Sequence, residues 1–219
     1  MSGLKIHTAW TTSAVATSTQ KSFMRVDFSD DDTLIAELIK VAQNNVEAYT
    51  GRAITQQTLQ LFLDRLPYYV DEKLREGVYT APDLNYSADY IVLPKPPVAS
   101  ITHVKYYAND NTASTFASTN YFADTDSSQA RVVLKNGVSW PTLTELRQGN
   151  AYEVQYVAGY GNSASDVPTP IIQAIKLLTT HLYENRELVT SMSANTIPYT
   201  IGQLLQPYRV MRLNNILGG

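Results

Sequence analysis

Two amphipathic helical stripes, one toward each end of the chain with strand pattern between them, constrain this fold more than any other feature. The first is expected over residues 30–50. Ser29 with Asp32 fits a capping box, and Asp30, Asp31 and Asp32 place negative charge at the positive end of a helix dipole. Ile35, Ile39, Ala42, Val46 and Tyr49 then recur at three- and four-residue steps, with Leu34, Leu38 and Val41 widening the stripe. Gly51 supplies the residue that ends a helix in a left-handed turn. The second stripe starts at Thr169 with Pro170 in the first turn. It runs through Ile171, Ile175, Leu178 and Leu182, broadened by Ile172 and Leu177, to about Glu187.

Strand signals fill the interval. Residues 58–63 alternate, with Leu59, Leu61 and Leu63 on one face and Gln60 and Phe62 on the other. Residues 90–93, closed by Pro94, Pro96 and Pro97, and 101–107 read as strands, as do 120–123 and 131–134. The stretch 152–157 sets Tyr152, Val154 and Tyr156 against Glu153, Gln155 and Val157. Residues 108–112 and Asn136-Gly137 carry turn chemistry. Residues 67–90 form a long polar and aromatic stretch without period, and 1–22 are rich in Ser and Thr and read as an irregular arm. Residues 199–208 hold a short apolar patch, Ile201, Leu204 and Leu205, expected as a short helix stopped by Pro207.

This order predicts an α+β fold: a small helical bundle with an inserted antiparallel β-domain and an extended C-terminal tail. Residues 1–22 are the arm, 23–54 and 166–212 the helical core, 55–165 the inserted β-rich domain with its long loop at 67–90, and 213–219 the tail.

Composition narrows the function. Apolar residues make up 44% and charged residues 17%, which is enough to build a core and too little charge for a disordered chain. The net charge of -3 argues against a nucleic-acid reader, whose affinity rests on Lys and Arg at phosphates. With no Cys, disulfides, thiolate nucleophiles and Cys-based metal sites are excluded. No apolar run approaches the ~20 residues that span a bilayer, so no membrane partner is expected. The 15 Tyr against 5 Phe and 2 Trp suit partly wet interfaces as well as ordinary strands.

Catalytic signals are weak. His181 and Glu184 have the i, i+3 spacing of carboxylate metal sites in bundles, but such sites need further ligands, and His7 and His103 stand in no cluster. Ala158-Gly159-Tyr160-Gly161-Asn162 lacks the Lys-Ser/Thr of a phosphate loop, and a tight turn needing positive φ explains it. Asp124, Asp126 and Asp166 form no calcium loop. No metal, cofactor or catalytic residue is assigned. Glu184 and Arg186 point to different sides of their helix, free to pair with another segment or another subunit.

Several strings occur in order. Val46-Glu47-Ala48-Tyr49-Thr50-Gly51-Arg52 closes the first helix. Leu93-Pro94-Lys95-Pro96-Pro97-Val98 leads into residues 101–106, and Gly137-Val138-Ser139-Trp140-Pro141 follows. Then come Val154-Gln155-Tyr156-Val157-Ala158-Gly159-Tyr160-Gly161 before Val167-Pro168, Leu182-Tyr183-Glu184-Asn185-Arg186-Glu187 and Leu204-Leu205-Gln206-Pro207-Tyr208-Arg209. Over about residues 25–212 the chain resembles the head–tail connector, or adaptor, family of long-tailed bacteriophages, prophages and gene transfer agents. The resemblance implies a structural, non-catalytic virion protein of the neck, assembled in host cytoplasm. It implies a homo-oligomeric ring, usually a dodecamer, between the portal and a tail-side protein, with double-stranded DNA passing through its lumen without sequence-specific binding. Residues 1–22 and 67–90 depart from the family's common core.

Within that reading, Glu184, Arg186, Tyr199, Leu204, Leu205, Tyr208 and Arg209 are candidates for portal or inter-subunit contact. The alternative for 199–209 is a helix folded back on its own bundle. Tyr68, Tyr69, Tyr79 and Tyr86 are candidates for tail-side or neighbour contact. The competing functions are another neck or tail-completion protein, a stopper or terminator, and a carbohydrate-binding module or enzyme built on Tyr-rich loops.

Overall fold

In a computed structural model, residues 2–66, 90–141, 146–185 and 199–210 are described. The chain divides into two compact units. One comprises Met1–Ala9 and Gln57–Ala158, the other Trp10–Gln56 and Gly159–Gly219.

The second unit is helical: α1 (Thr17–Met24), α2 (Asp32–Thr50), α3 (Thr169–Glu184) and α4 (Tyr199–Leu205), the last running into a 3-10 turn, Gln206–Tyr208. The two stripes read from the sequence meet in its core. Ile35, Ile39, Ala42 and Val46 of α2 and Ile171, Ala174, Ile175 and Leu178 of α3 are buried together with Ala14, Val15, Ile54, Ile201 and Leu205. Each fully buried large aliphatic side chain contributes about 1.5–3 kcal/mol. Gly51 adopts φ 70° and its N–H bonds Glu47 O, as expected of a terminating glycine.

Three expectations for these helices fail in detail. The capping box is absent: Asp31 is the N-cap of α2 and no side chain caps the helix. The acidic groups there turn to neighbours instead, Asp31 accepting from the Tyr183 hydroxyl at 2.6 Å and Asp32 pairing with Lys21 Nζ at 2.5 Å. Val41 does not widen the stripe and is 46% exposed. The helix buries Gln43 and Glu47 in its place. Gln43 Oε1 accepts from Ala14 N at 2.9 Å, its Nε2 donates to Thr55 Oγ1 at 2.8 Å, and Glu47 Oε1 accepts from Ile54 N at 2.9 Å. Two polar side chains thus satisfy buried backbone donors outside their own helix, a requirement that outweighs their own desolvation. Finally, α3 ends at Glu184 with Asn185 as its cap.

The first unit is a β structure of two antiparallel sheets. The larger has order β1-β2-β8-β4-β5 and the smaller β3-β7-β6. The strands are β1 (Ser2–Thr8), β2 (Gln57–Leu63), β3 (Tyr90–Val92), β4 (Val98–Tyr107), β5 (Ala113–Phe116), β6 (Tyr121–Asp124), β7 (Arg131–Leu134) and β8 (Tyr152–Ala158). The alternation in β2 is realised, with Leu59, Leu61 and Leu63 buried. Tyr152 and Tyr156 of β8 are buried with their hydroxyls donating to the carbonyls of Pro141 (3.0 Å) and Pro94 (2.7 Å). The Trp140 ring stacks on Phe116 at 5.1 Å and meets Tyr152 edge-on at 6.3 Å.

The arm expected at 1–22 is therefore regular over much of its length. Residues 2–8 pair with β2, Leu4 opposite Leu61 and Ile6 opposite Leu59, and 17–24 form α1. β1 carries only a short alternation at the sheet edge, Leu4 and Ile6 against Lys5 and His7, and α1 shows none because its one buried side chain is polar, Gln20.

Candidate interaction surfaces

In the helical unit, the C-terminal segment is fastened to its own bundle. Ile201 and Leu205 are 3% and 0% exposed in the core. Arg52 Nε donates to Tyr208 O at 2.6 Å, Val210 N donates to Thr50 O at 2.8 Å, and the Arg209 guanidinium lies 5.5 Å from the centre of the Tyr49 ring. Burial pushes the Tyr160 hydroxyl up, with the Arg52 charge opposing. The fold-back alternative thus describes α4. Leu205 cannot serve as a contact residue, because its side chain is wholly enclosed by the bundle. Leu204 and Tyr208 are half-buried and Arg209 is exposed, so these three keep an outward surface.

Glu184 is exposed at the end of α3, next to Asn185, whose amide Nδ2 donates to His181 O at 2.9 Å. Arg186, Tyr68, Tyr69, Tyr79, Tyr86 and the Tyr199 side chain lie outside the described residues. The structure does bring Tyr208 and Arg209 together with Tyr49, which the sequence placed in the helix's apolar stripe, and with Arg52 just after that helix.

In the β unit, the face of the larger sheet opposite Leu59 and Leu61 carries a polar ladder. Gln60 pairs with Gln155, and His103 with Gln155. The Glu153 carboxylate, 5% exposed, collects Gln60 Nε2 at 3.0 Å, His103 Nε2 at 3.1 Å and the Tyr107 hydroxyl. Burial pushes this carboxyl up, but the hydrogen bonds of Tyr107 and His103, with the charges of His103 and Lys105, outweigh it and hold it below its ordinary value. The same bond is the main cause of the raised Tyr107 hydroxyl. Strand alternation set Glu153 opposite Tyr152, Val154 and Tyr156, but it gave no sign that two neighbouring strands would converge on it.

The smaller sheet shows an apolar face. Phe122 is 60% exposed beside Val133, which also pairs with Tyr90, while Arg131 holds Asp124 at 2.6 Å and covers the Tyr90 ring at 5.4 Å. The glycine turn is a turn: Gly159 has φ 130° and abuts the Thr55 and Gln56 backbone. Among the described residues, no group of three or more His, Asp or Glu is placed to hold a metal, and no helix is long and apolar enough to cross a membrane.

The sequence profile of the head completion protein family matches residues 15–213, and the chain belongs to that family. It is a structural protein of the head-to-tail region and not an enzyme, in line with the resemblance to head–tail connectors. Solved structures agree in fold. A chain from the neck of an empty gene transfer agent (GTA) particle computed with C6 symmetry is 21% identical over 99% of this chain and 98% of that one, with TM-score 0.73. One from the virion of a native GTA particle is 22% identical over 99% and 98%, with TM-score 0.72. One from the neck of a native GTA particle computed with C12 symmetry is 20% identical over 98% of each, with TM-score 0.66. No curated protein matches the chain.

Proposed function

We propose that this chain is the head–tail adaptor of its particle. Twelve copies form a ring in the virion neck, between the portal and a tail-side protein, around the channel through which DNA leaves. The observation that carries the reading is the family match combined with a likeness that spans nearly the whole of both chains, to a protein from a neck computed with C12 symmetry. A heterologous contact repeated about an axis closes into such a ring. The net charge of -3 suits a channel that must not trap phosphates.

Portal or inter-subunit contact is assigned to Leu204, Tyr208 and Arg209 of the C-terminal segment, and to Tyr199, Glu184 and Arg186 from the sequence. Tail-side or neighbour contact is assigned to Tyr68, Tyr69, Tyr79 and Tyr86. The test is co-purification with the portal of the same particle, followed by cryo-electron microscopy of the complex. The expected result is a twelvefold ring on the portal, weakened by Arg209→Glu. A chain that ignores the portal and binds only further down the neck is a stopper or terminator, and the adaptor reading falls.

A further inference from the structure

We propose that neighbouring copies are joined edge to edge through their larger sheets, β1 of one copy extending the sheet of the next at its β5. This rests on the ring reading above. The larger sheet ends in β1 on one side and β5 on the other, and among the described residues no strand covers either edge. An open edge is a row of unpaired backbone donors and acceptors, a template for another strand. β1 is poorly defended for an edge: seven residues, one Lys, and the apolar side chains of Leu4 and Ile6 left 38% and 49% exposed. Those two lie on the side of Leu61 and Leu59, so they continue the sheet's apolar face beyond its own core.

The occupant is a second copy because the chain supplies both halves of the joint. Every pairing in this sheet is antiparallel, so β1 and β5, four positions apart, run in the same direction. Rotation about a ring axis preserves strand sense, so β5 meets the next copy's β1 in parallel. The contact is heterologous, with two different edges, as ring closure requires. Phe116 and Val104 are register partners at the β5 edge, which places the apolar sides of the two edges on the same face of the joined sheet. The joint fixes register, and the remainder of the more than ~1,000 Å² that a stable interface buries comes from other surfaces.

The absence of Cys makes the test clean. Within one copy β1 and β5 are about 19 Å apart, four strand spacings, well beyond the ~7 Å Cα separation that a disulfide tolerates. Any disulfide between them is intermolecular. Pairs combining Gly3→Cys or Lys5→Cys with Ala113→Cys or Thr115→Cys, all on the polar face, sample the parallel registers. Full-length protein assembled on its portal is oxidised and run on a non-reducing gel. A ladder of covalent multimers from at least one pair is expected, with none from single-cysteine variants. Independently, the double variant Leu4→Lys/Ile6→Lys is expected to need about tenfold more protein to form the ring, with an unchanged melting temperature. If that variant melts early, the ladder decides alone. A ring that forms without cross-linking in any pair, or Lys5→Cys dimers pairing β1 with β1, overturns the joint and leaves the ring intact. If no ring forms on the portal, both readings fall.

Discussion

Replacing Gly159 by Ala should be strongly destabilising, because the added methyl would run into fixed backbone. An added Cβ would stand 2.5 Å from both the C and O of Thr55 and 2.7 Å from Gln56 N, all backbone atoms that no rotamer change can move. The residue also sits at φ 130°, which L side chains rarely adopt. Conformational strain of this kind costs about 1–3 kcal/mol, and overpacking against a fixed neighbour a further ~1–3 kcal/mol. A total of ~2–5 kcal/mol is a large share of the ~5–15 kcal/mol that holds a domain together. For a chain of this length it lowers the melting temperature by roughly 10 °C. The assay is thermal unfolding followed by circular dichroism, read beside two controls. Gly137→Ala shares the positive φ (79°) but meets nothing within 4 Å, and Gly149→Ala has neither problem. The expected order of damage is 159, then 137, then 149. If Gly159→Ala melts no lower than Gly137→Ala, the steric half of the reasoning is wrong.

The other predictions are simpler. Leu205→Ala, at a fully enclosed side chain, should cost ~2–5 kcal/mol in a denaturant titration, whereas half-buried Leu204→Ala should cost less and, if the proposed adaptor role holds, weaken portal binding; equal stability effects would erase the core–surface distinction. The Glu153 carboxyl is held below its ordinary value of 4.5 in the folded chain. The stability it confers is therefore complete above that value and lost as pH falls below it, so Glu153→Gln should flatten the acid limb of the melting-temperature profile. Burial pushes the Tyr152 hydroxyl up to about 12. Its raised folded value means a contribution present below pH ~10 and lost as pH climbs toward 12, and Tyr152→Phe should weaken the alkaline loss seen in an ultraviolet phenolate titration.

What could be read from the sequence follows from which elements bury a periodic face. The stripes of α2 and α3 and the alternation of β2 and β8 were legible because each faces a core on one side. β1 and β5 sit at sheet edges, and α1 is two turns long with a polar buried residue, so none had to carry a strong pattern. The candidate surface was legible only as a segment. Periodicity found Ile201, Leu204 and Leu205 but could not separate them, because the helix is too short for its faces to differ in composition. The burial of Gln43, Glu47 and Glu153 was not legible for the opposite reason: it is set by partners 7 to 93 residues away, such as Ala14, Ile54 and Gln60.

These buried polar residues explain how a chain with few catalytic signals can still be specific. Gln43 and Glu47 tie the segments around Ala14 and Ile54 to α2, and Glu153 ties Gln60, His103 and Tyr107 across three strands. Each tie fixes backbone that would otherwise be free to slide, since a buried polar group left without its partner costs about 1–3 kcal/mol. Rigid units matter to a ring. A small rotation of one subunit's contact faces is repeated at every junction, so the error accumulates around the axis and prevents closure. Internal polar ties of this kind hold the open edge of β1 and the outward residues of the C-terminal segment at fixed positions within their own units. In the proposed ring, that lets weak contacts, repeated identically, add up to one closed assembly.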